Sequence, residues 1–157
     1  MFCVGHLRGE EEDDFASSVS PVGTIGLIRA SRESESGTSN LLLHGLHRVR
    51  FESWQEGKDY PFATIRPLLD TTLTSVEVAD FLPRLQHAVE AVLRDLPEEI
   101  RVHVRRIFEA DSSLSHIADA ISQQFIHEPE HRQQLLETTE LRQRLDLLIT
   151  LLQGFQT

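Results

Sequence analysis

The order in which two hydrophobic periodicities follow each other constrains this chain more than any other feature. Three apolar segments with strand character come first, at Val19–Ile28, Asn40–Phe51 and Tyr60–Leu69. From about Thr74 onward, apolar residues recur at spacings of three and four, which is typical of amphipathic helices. Because the strands precede the helices without alternating with them, the sequence predicts an α+β fold.

The polar segment Arg29–Ser39 separates the first two strands. It is too polar to pack in a core, and Gly37 can adopt a positive backbone angle, so we expect a hairpin with a long loop. Gly23 and Gly26 interrupt the first strand, which suggests a bulge or a sharp bend. Pro67 marks either the end of the third strand or an edge position, because proline cannot donate to a sheet ladder.

The helical half is predicted from apolar stripes separated by prolines and capping residues. The most regular stripe comprises Leu114, Ile117, Ala118, Ile121 and Phe125. Pro83 leaves open whether the first long helix starts before this residue or at it. The positions assigned to helix starts and ends are Thr74 with Glu77 as a capping box, Pro97, Asp111 to Ser113, Pro129, Thr138–Thr139 and Gly154.

Composition and charge limit the classes of function. The 157 residues are 39% hydrophobic and 25% charged, which is typical of a globular protein, and the formal net charge is −10. Such a chain is repelled by phosphate backbones and anionic membranes, so we expect neither nucleic acid nor a membrane as a partner. No apolar run approaches the roughly 20 residues of a membrane helix. The N-terminus lacks the pattern of a signal peptide, which favours a cytoplasmic protein.

No pattern of catalytic or metal-binding residues is present. Cys3 is the only cysteine, and Lys58, the only lysine, falls in a polar turn where a Ser–Lys dyad is not expected. The serines lack a Gly-x-Ser-x-Gly elbow, and no phosphate-binding glycine loop occurs. The acidic run Glu10–Asp14 is interpreted as a solvated loop. We therefore predict no catalytic residue, no cofactor and no metal.

Two closely spaced histidine pairs do not predict a metal site. His44 and His47 are three residues apart in a strand, which predicts opposite faces. His127 and His131 have a helical spacing, but Pro129 between them makes a continuous helix improbable.

Three aromatic residues, Trp54, Tyr60 and Phe62, cluster around the turn before the third strand. One interpretation is that they close one end of the sheet core. The functional alternative is a partly exposed apolar patch that binds another protein. These three residues are the only candidate site residues that the sequence offers.

The strands and the last helices together resemble the Lon substrate-binding domain, the N-terminal domain of ATP-dependent Lon proteases. The segments VGTIGLI, LLLHGLHRVRF and YPFATIRPL resemble consecutive strands of that domain, and SHIADAISQQF and RQQLLETTELRQRLDLLITLL resemble its helices. The residues that carry the resemblance include Gly45, Arg48, Phe51, Tyr60, Ala63, Leu68, Gln134 to Glu137, Arg144 and Leu145.

The resemblance implies a partial open β-barrel, PUA-like and of the Lon N-terminal type, followed by a C-terminal helical bundle. That domain normally opens with further strands and a helix in front of a segment like Met1–Leu7, and they have no counterpart here. We therefore expect a partial barrel over residues 1–72 and a helical bundle over residues 73–157.

The function implied by the resemblance is non-catalytic recognition of unfolded or apolar protein segments, with a protease or a chaperone as a further partner. Binding would combine apolar contacts with hydrogen bonds to an extended chain at a sheet edge. The ATPase and Ser–Lys protease domains of the family have no counterpart in the sequence, so no enzyme activity is expected. Two alternatives remain open, a PUA-like binder of a small ligand and a truncated fragment without independent function.

Overall fold

The computed structural model describes residues 2–8, 15–55, 60–110 and 113–154. The chain divides into two compact units, Met1–Leu69 and Asp70–Thr157, called here the sheet unit and the helical unit. Their order confirms the α+β class predicted from the sequence, whereas the domain boundary between residues 72 and 73 stays a prediction. The acidic run Glu10–Asp14, Lys58, Asp111 and Ser112 lie outside the described residues.

The described part of the sheet unit forms one antiparallel sheet of four strands in sequential order, β1-β2-β3-β4. The elements are β1 Phe2–Val4, the short helix α1 Phe15–Ser18, β2 Val22–Glu33, β3 Ser39–Gln55 and β4 Phe62–Leu68. Pro67 lies inside β4 opposite Val49, at the edge of the sheet, which is one of the two positions the sequence predicted for it.

The hairpin between β2 and β3 is longer than predicted, and the expectation of a long loop over Arg29–Ser39 is wrong. Both strands continue as a two-stranded ribbon, and the turn spans only residues 34–38. The Ser34 amide donates to the Thr38 carbonyl at 2.8 Å, and Gly37 has φ 81°. Polar residues can form these strands because the ribbon is exposed and buries none of them.

Register shifts interrupt both long ladders. Between Ile25 and Gly26 the partner on β3 changes from His47 to Gly45, which leaves Leu46 without a partner. The bulge predicted from Gly26 is therefore confirmed. A second shift, between Ile28 and Ala30, leaves Arg29 without a cross-strand partner on β3, and a third, between Phe51 and Ser53, leaves Glu52 unpaired against β4.

The helical unit contains α2 Ser75–Leu93, α3 Glu98–Glu109, α4 Leu114–Phe125, α5 Pro129–Glu137 and α6 Leu141–Gly154. The capping box of Thr74 and Glu77 is confirmed. Hydrogen bonds from the Thr74 amide and hydroxyl, together with Arg142, lower the pKa of Glu77 to about 2. The α2 helix continues through Pro83, because Phe81 before it and Leu85 after it both pack into the core.

One apolar core organises the helical unit. Every residue of the stripe predicted for α4 is buried, and α2 contributes Leu85 and Val89 to the same cluster. Leu145, Leu148 and Leu152 of α6 complete its centre and are fully buried. The periodicity of apolar residues thus predicted the helix faces that form this core.

The cap of α6 comes from a residue distant in the sequence. The sequence predicts Thr138–Thr139 as the cap of this helix, but the Thr138 hydroxyl donates to the Gln134 carbonyl at the end of α5. The Leu141 amide donates to the Thr71 hydroxyl at 3.0 Å, and the Thr71 amide donates to the Thr139 carbonyl. The Thr71 hydroxyl therefore accepts the hydrogen bond of a backbone amide at the start of α6, about 70 residues further along the chain.

Arg144 is the largest fully buried side chain, with 1% of its surface exposed. Its guanidinium binds Asp70 in a bidentate pair, at 2.9 and 2.5 Å, and donates to the Thr138 carbonyl at 2.9 Å. Ser115 of α4 accepts from Arg144 at 2.7 Å and donates to Asp70 at 2.6 Å. One side chain of α6 therefore connects α4, the end of α5 and the segment before α2.

We predict that Arg144→Met lowers the free energy of unfolding of the helical unit by about 3 kcal/mol, because Asp70 keeps a largely buried charge without its partner. The change is measured by urea denaturation followed by far-UV circular dichroism. Arg142→Met, on the same helix but exposed and paired with Glu77, is the control and costs less than about 1 kcal/mol. Equal effects of the two substitutions would show that the buried pair is not required.

We predict that Thr71→Ala lowers the free energy of unfolding by about 1 kcal/mol, because the Leu141 amide loses its acceptor. Thr72→Ala is the matched control, since Thr72 is exposed. The same denaturation measurement checks both variants. A loss for Thr72→Ala as large as that for Thr71→Ala would contradict the capping role.

Candidate binding surface

The sheet register separates two of the three aromatic residues predicted as a patch. Trp54 lies opposite Ala63, and Phe62 lies opposite Gln55. Directly opposed residues share a face and successive residues alternate, so Trp54 and Phe62 lie on opposite faces of the sheet. Tyr60 precedes β4 and is 60% exposed. The structure therefore does not bring Trp54 and Phe62 together on one face.

Trp54 instead stacks on Phe51, with ring centroids 5.1 Å apart and planes at 30°. The two residues are three positions apart, a spacing that would place them on opposite faces of a regular strand. The bulge at Glu52 restores a common face, because Phe51 pairs with Ile65 and Trp54 with Ala63. The sequence did not predict Phe51 as the partner of Trp54, because a bulge at a residue other than glycine leaves no clear signal in the sequence.

A cleft of about 470 Å³ lies against this aromatic pair, within the range of small-ligand sites. Arg8 contributes the positive charge of the wall, and its guanidinium is held by the Ser17 carbonyl at 3.0 Å. Glu52 also lines the cleft, and its carboxylate forms an ion pair with Arg66 at 2.8 Å. The lining residues are Arg8, Ala16, Val19, Pro21, Phe51, Glu52, Ser53 and Trp54. The cleft therefore combines two aromatic rings with the positive charge of Arg8.

Gly23 allows the Phe51 ring to approach the backbone. A Cβ atom at Gly23 would lie 2.8 Å from the ring and 2.3 Å from the Val4 carbonyl oxygen. This close approach, and not a bulge, explains the glycine in β2 at this position. The packing of Phe51 in the cleft wall and the pairing of β1 with β2 therefore both require a residue without a side chain at position 23.

Most large apolar side chains of the sheet unit are exposed. Only three apolar residues are buried among its described residues, Val19, Val22 and Val49. Leu42 is 63% exposed and belongs to a run of three exposed leucines on the ribbon. The exposed set comprises Phe2, Val4, Leu7, Ile28, Leu41, Leu42, Leu43, Leu46, Tyr60, Phe62 and Leu69. Apolar exposure of this density is typical of interaction surfaces.

The two edges of the sheet differ in their capacity to accept another strand. β1 is exposed at all three residues, and no described residue pairs with its outer side. β4 contains Pro67, which has no N–H and therefore weakens any ladder built on that edge. An extended segment can add to β1 more readily than to β4.

The histidine pairs lie in positions that differ partly from prediction. His44 pairs with Leu27 and His47 with Ile25, two residues apart, so the bulge at Leu46 puts both histidines on one face and not on opposite faces. His127 lies before α5, and His131 lies within it. Among the described residues, no group of three potential metal ligands is present.

Cys3 has the properties of a weak nucleophile. The residue is exposed on β1, but neighbouring atoms partly desolvate the thiol and raise its pKa. A raised pKa keeps the thiol protonated at neutral pH, and the thiolate is the reactive form.

Residues 1–154 match the family described as the ATP-dependent protease La (LON) substrate-binding domain. This match covers nearly the whole chain, so the chain belongs to that family. Among the described residues, no helix is long and apolar enough to cross a membrane.

The relatives are much longer proteins. The Lon protease of Anaeromyxobacter dehalogenans is 28% identical over 150 residues, which cover 95% of this chain and 18% of that protein. Lon protease 2 of Myxococcus xanthus is 27% identical, with the same coverage of each chain. This chain therefore spans less than a fifth of these relatives.

A solved structure shares the fold. The N-terminal domain of a Lon protease from the Mycobacterium avium complex superimposes with a TM-score of 0.70 and 18% identity. The match covers 93% of this chain and 75% of that structure. The sheet followed by helices is therefore the fold of a Lon N-terminal domain, as the resemblance of the sequence predicted.

We predict that Gly23→Ala lowers the free energy of unfolding of the sheet unit by about 2 kcal/mol, because the new Cβ overlaps the Val4 carbonyl and the Phe51 ring. Trp54 is the only tryptophan, so its fluorescence during denaturation reports this unit. Gly154→Ala is the control, since an added Cβ there meets nothing within 4 Å. A Gly23→Ala variant as stable as wild type would contradict the close packing of Phe51.

Proposed function

We propose that the chain binds extended apolar segments of other proteins through its sheet unit and does so without catalysis. The observation that carries the proposal is the excess of exposed over buried large apolar side chains in that unit. Such a surface gains free energy when a partner covers it, at about 25 cal/mol per Å² of apolar area. The family of substrate-binding domains to which the chain belongs supports a role in recognition.

The binding mode combines side-chain and backbone contacts. A client segment lies beside β1, where its backbone pairs with the open edge, and its apolar side chains contact the exposed residues of the sheet. Leu42 and Leu43 on the ribbon supply apolar area, and Trp54, Tyr60 and Phe62 supply aromatic contacts on the two faces. Backbone pairing accepts many sequences, which suits the recognition of unfolded clients.

We further propose that the chain acts together with a protease or a chaperone. The relatives are Lon proteases, and this chain matches less than a fifth of their length, so this association is a proposal. The cytoplasmic location expected from the sequence stays a prediction.

A second candidate function is the binding of a small ligand in the cleft beside Phe51 and Trp54. The volume of the cleft, its two aromatic rings and the Arg8 guanidinium favour this alternative. A ligand there would alter the fluorescence of Trp54. Phe51→Ala would weaken a cleft ligand and would leave binding to the leucines of the ribbon nearly unchanged.

We predict that the full chain binds reduced, carboxymethylated α-lactalbumin, a permanently unfolded client, in the micromolar range and slows aggregation of a heat-denatured protein. Fluorescence anisotropy of the labelled client measures the affinity. The double variant Leu42→Ser/Leu43→Ser weakens binding by roughly tenfold or more, because each substitution removes about 1 kcal/mol of apolar contact.

Val76→Ser is the control, because Val76 is also exposed but lies on α2 in the helical unit. It should leave the affinity within twofold of wild type. Absence of client binding by the folded wild-type chain, or an equal loss for the control, would reject the proposed surface.

A further inference from the structure

A strip of exposed side chains covers one face of β3 and β4 and has a chemistry different from the rest of the sheet. It consists of the three cross-strand pairs Arg50–Arg66, Ser53–Thr64 and Gln55–Phe62. All six residues are exposed, whereas Phe51, Trp54, Ala63 and Ile65 on the opposite face are half-buried. We call these six residues the polar strip.

The polar strip carries positive charge that the described residues do not fully balance. Arg50 lies directly opposite Arg66, and like charges in that position repel each other. Glu52 binds Arg66 at 2.8 Å. Arg50 forms no ion pair with any residue in the described ranges. One guanidinium therefore remains exposed beside a second one, with the hydroxyls of Ser53 and Thr64 next to the pair.

We propose that the polar strip binds an acidic side chain of an extended client segment and so selects which apolar segments the sheet unit recognises. Arg50 can hold a carboxylate with two parallel hydrogen bonds, since its guanidinium is planar and permanently charged. The negative client charge also relieves the repulsion between Arg50 and Arg66. This inference rests on the proposed function and names its substrate class.

The distance between Phe62 and Arg66 in the strip defines how far apart the acidic and the apolar residue of the client must be. Phe62 lies on the same face as Arg66 and four residues before it, a separation of about 13 Å along an extended strand. A stretch of the client that crosses the exposed face of β3 and β4, apart from any stretch paired with the β1 edge, therefore places an acidic residue at Arg50 when an apolar residue four positions away contacts Phe62. The preferred segment contains a carboxylate and a large apolar side chain in positions i and i+4.

Charge complementarity favours a peptide over a nucleic acid in this position. The chain carries a net charge of −10, so a polyanion is repelled beyond the immediate surroundings of the strip. A single carboxylate next to Arg50 is attracted by the local positive charge and is repelled much less by the net negative charge of the chain. The observed charges thus fit an acidic peptide with an apolar anchor.

The test compares two labelled eleven-residue peptides that share a Leu anchor and differ at the position four residues away, which is Glu in one and Lys in the other. With the wild-type chain, anisotropy should give at least a fivefold tighter dissociation constant for the Glu peptide at low salt. The ratio should shrink as salt is added, because exposed charges are screened.

Two variants locate the effect. Arg50→Gln should bring the ratio close to one, and Thr64→Asp, which introduces a carboxylate into the strip from the other strand, should do the same. Arg32→Gln is the control, since Arg32 is an exposed arginine on the ribbon outside the strip. Circular dichroism and Trp54 fluorescence confirm that each variant is folded.

Each contrary outcome has a distinct meaning. Equal affinity of the wild type for both peptides, with binding retained, overturns the acidic preference but leaves the proposed function. Loss of the preference in Arg32→Gln as well overturns its location in the strip. Binding of neither peptide and of no unfolded client overturns both proposals. A single-stranded oligonucleotide that displaces the Glu peptide overturns the assignment to a peptide.

Discussion

The bidentate pair between Arg144 and Asp70 is the contact on which the helical unit depends. A buried guanidinium needs a compensating charge, since desolvation of an uncompensated charge costs several kcal/mol. Asp70, Ser115 and the Thr138 carbonyl accept hydrogen bonds from the two terminal nitrogens of Arg144, while its Nε lies 3.6 Å from the Asp119 carboxylate without a hydrogen bond. We expect the pair to favour this packing of the helices over others, because alternative packings would leave the charge unpaired. Thr71 adds a second polar contact between the start of the unit and its last helix.

The sheet unit, in contrast to the helical unit, has little apolar core. Its buried apolar residues are few, and its ribbon exposes leucines that a self-sufficient domain would cover. The glycine at position 23 lets Phe51 lie against the backbone, and the bulge at Glu52 aligns Phe51 with Trp54. These features produce a cleft on one face, while the other face carries exposed arginines. The helical unit has a well-packed core, whereas the sheet unit exposes many of its large apolar side chains, and this exposure is the basis of the proposed binding function.

Prediction from sequence succeeded where local signals decide the structure. The stripe of α4 and the capping box at Thr74 depend on spacings within one helix, and both were predicted correctly. Prediction failed where distant residues decide. Thr138 has a good capping side chain, but the acceptor for the Leu141 amide is Thr71. The ribbon formed despite its polarity, because exposed strands need no buried side chains. The aromatic patch was predicted from proximity in sequence, which cannot reveal the register that separates Trp54 from Phe62.

The sequence by itself determined the order of strands and helices, the apolar faces of the helices and the resemblance to the Lon substrate-binding domain, because periodicity and motif order are local properties. Only the tertiary structure decided which residues share a surface. A bulge puts Trp54 on the same face as Phe51, and another puts His44 on the same face as His47. This happens because a one-residue shift moves every later side chain to the other face. The buried environment of Arg144 likewise required four separate segments to meet. The candidate surfaces therefore became visible only when the register was known.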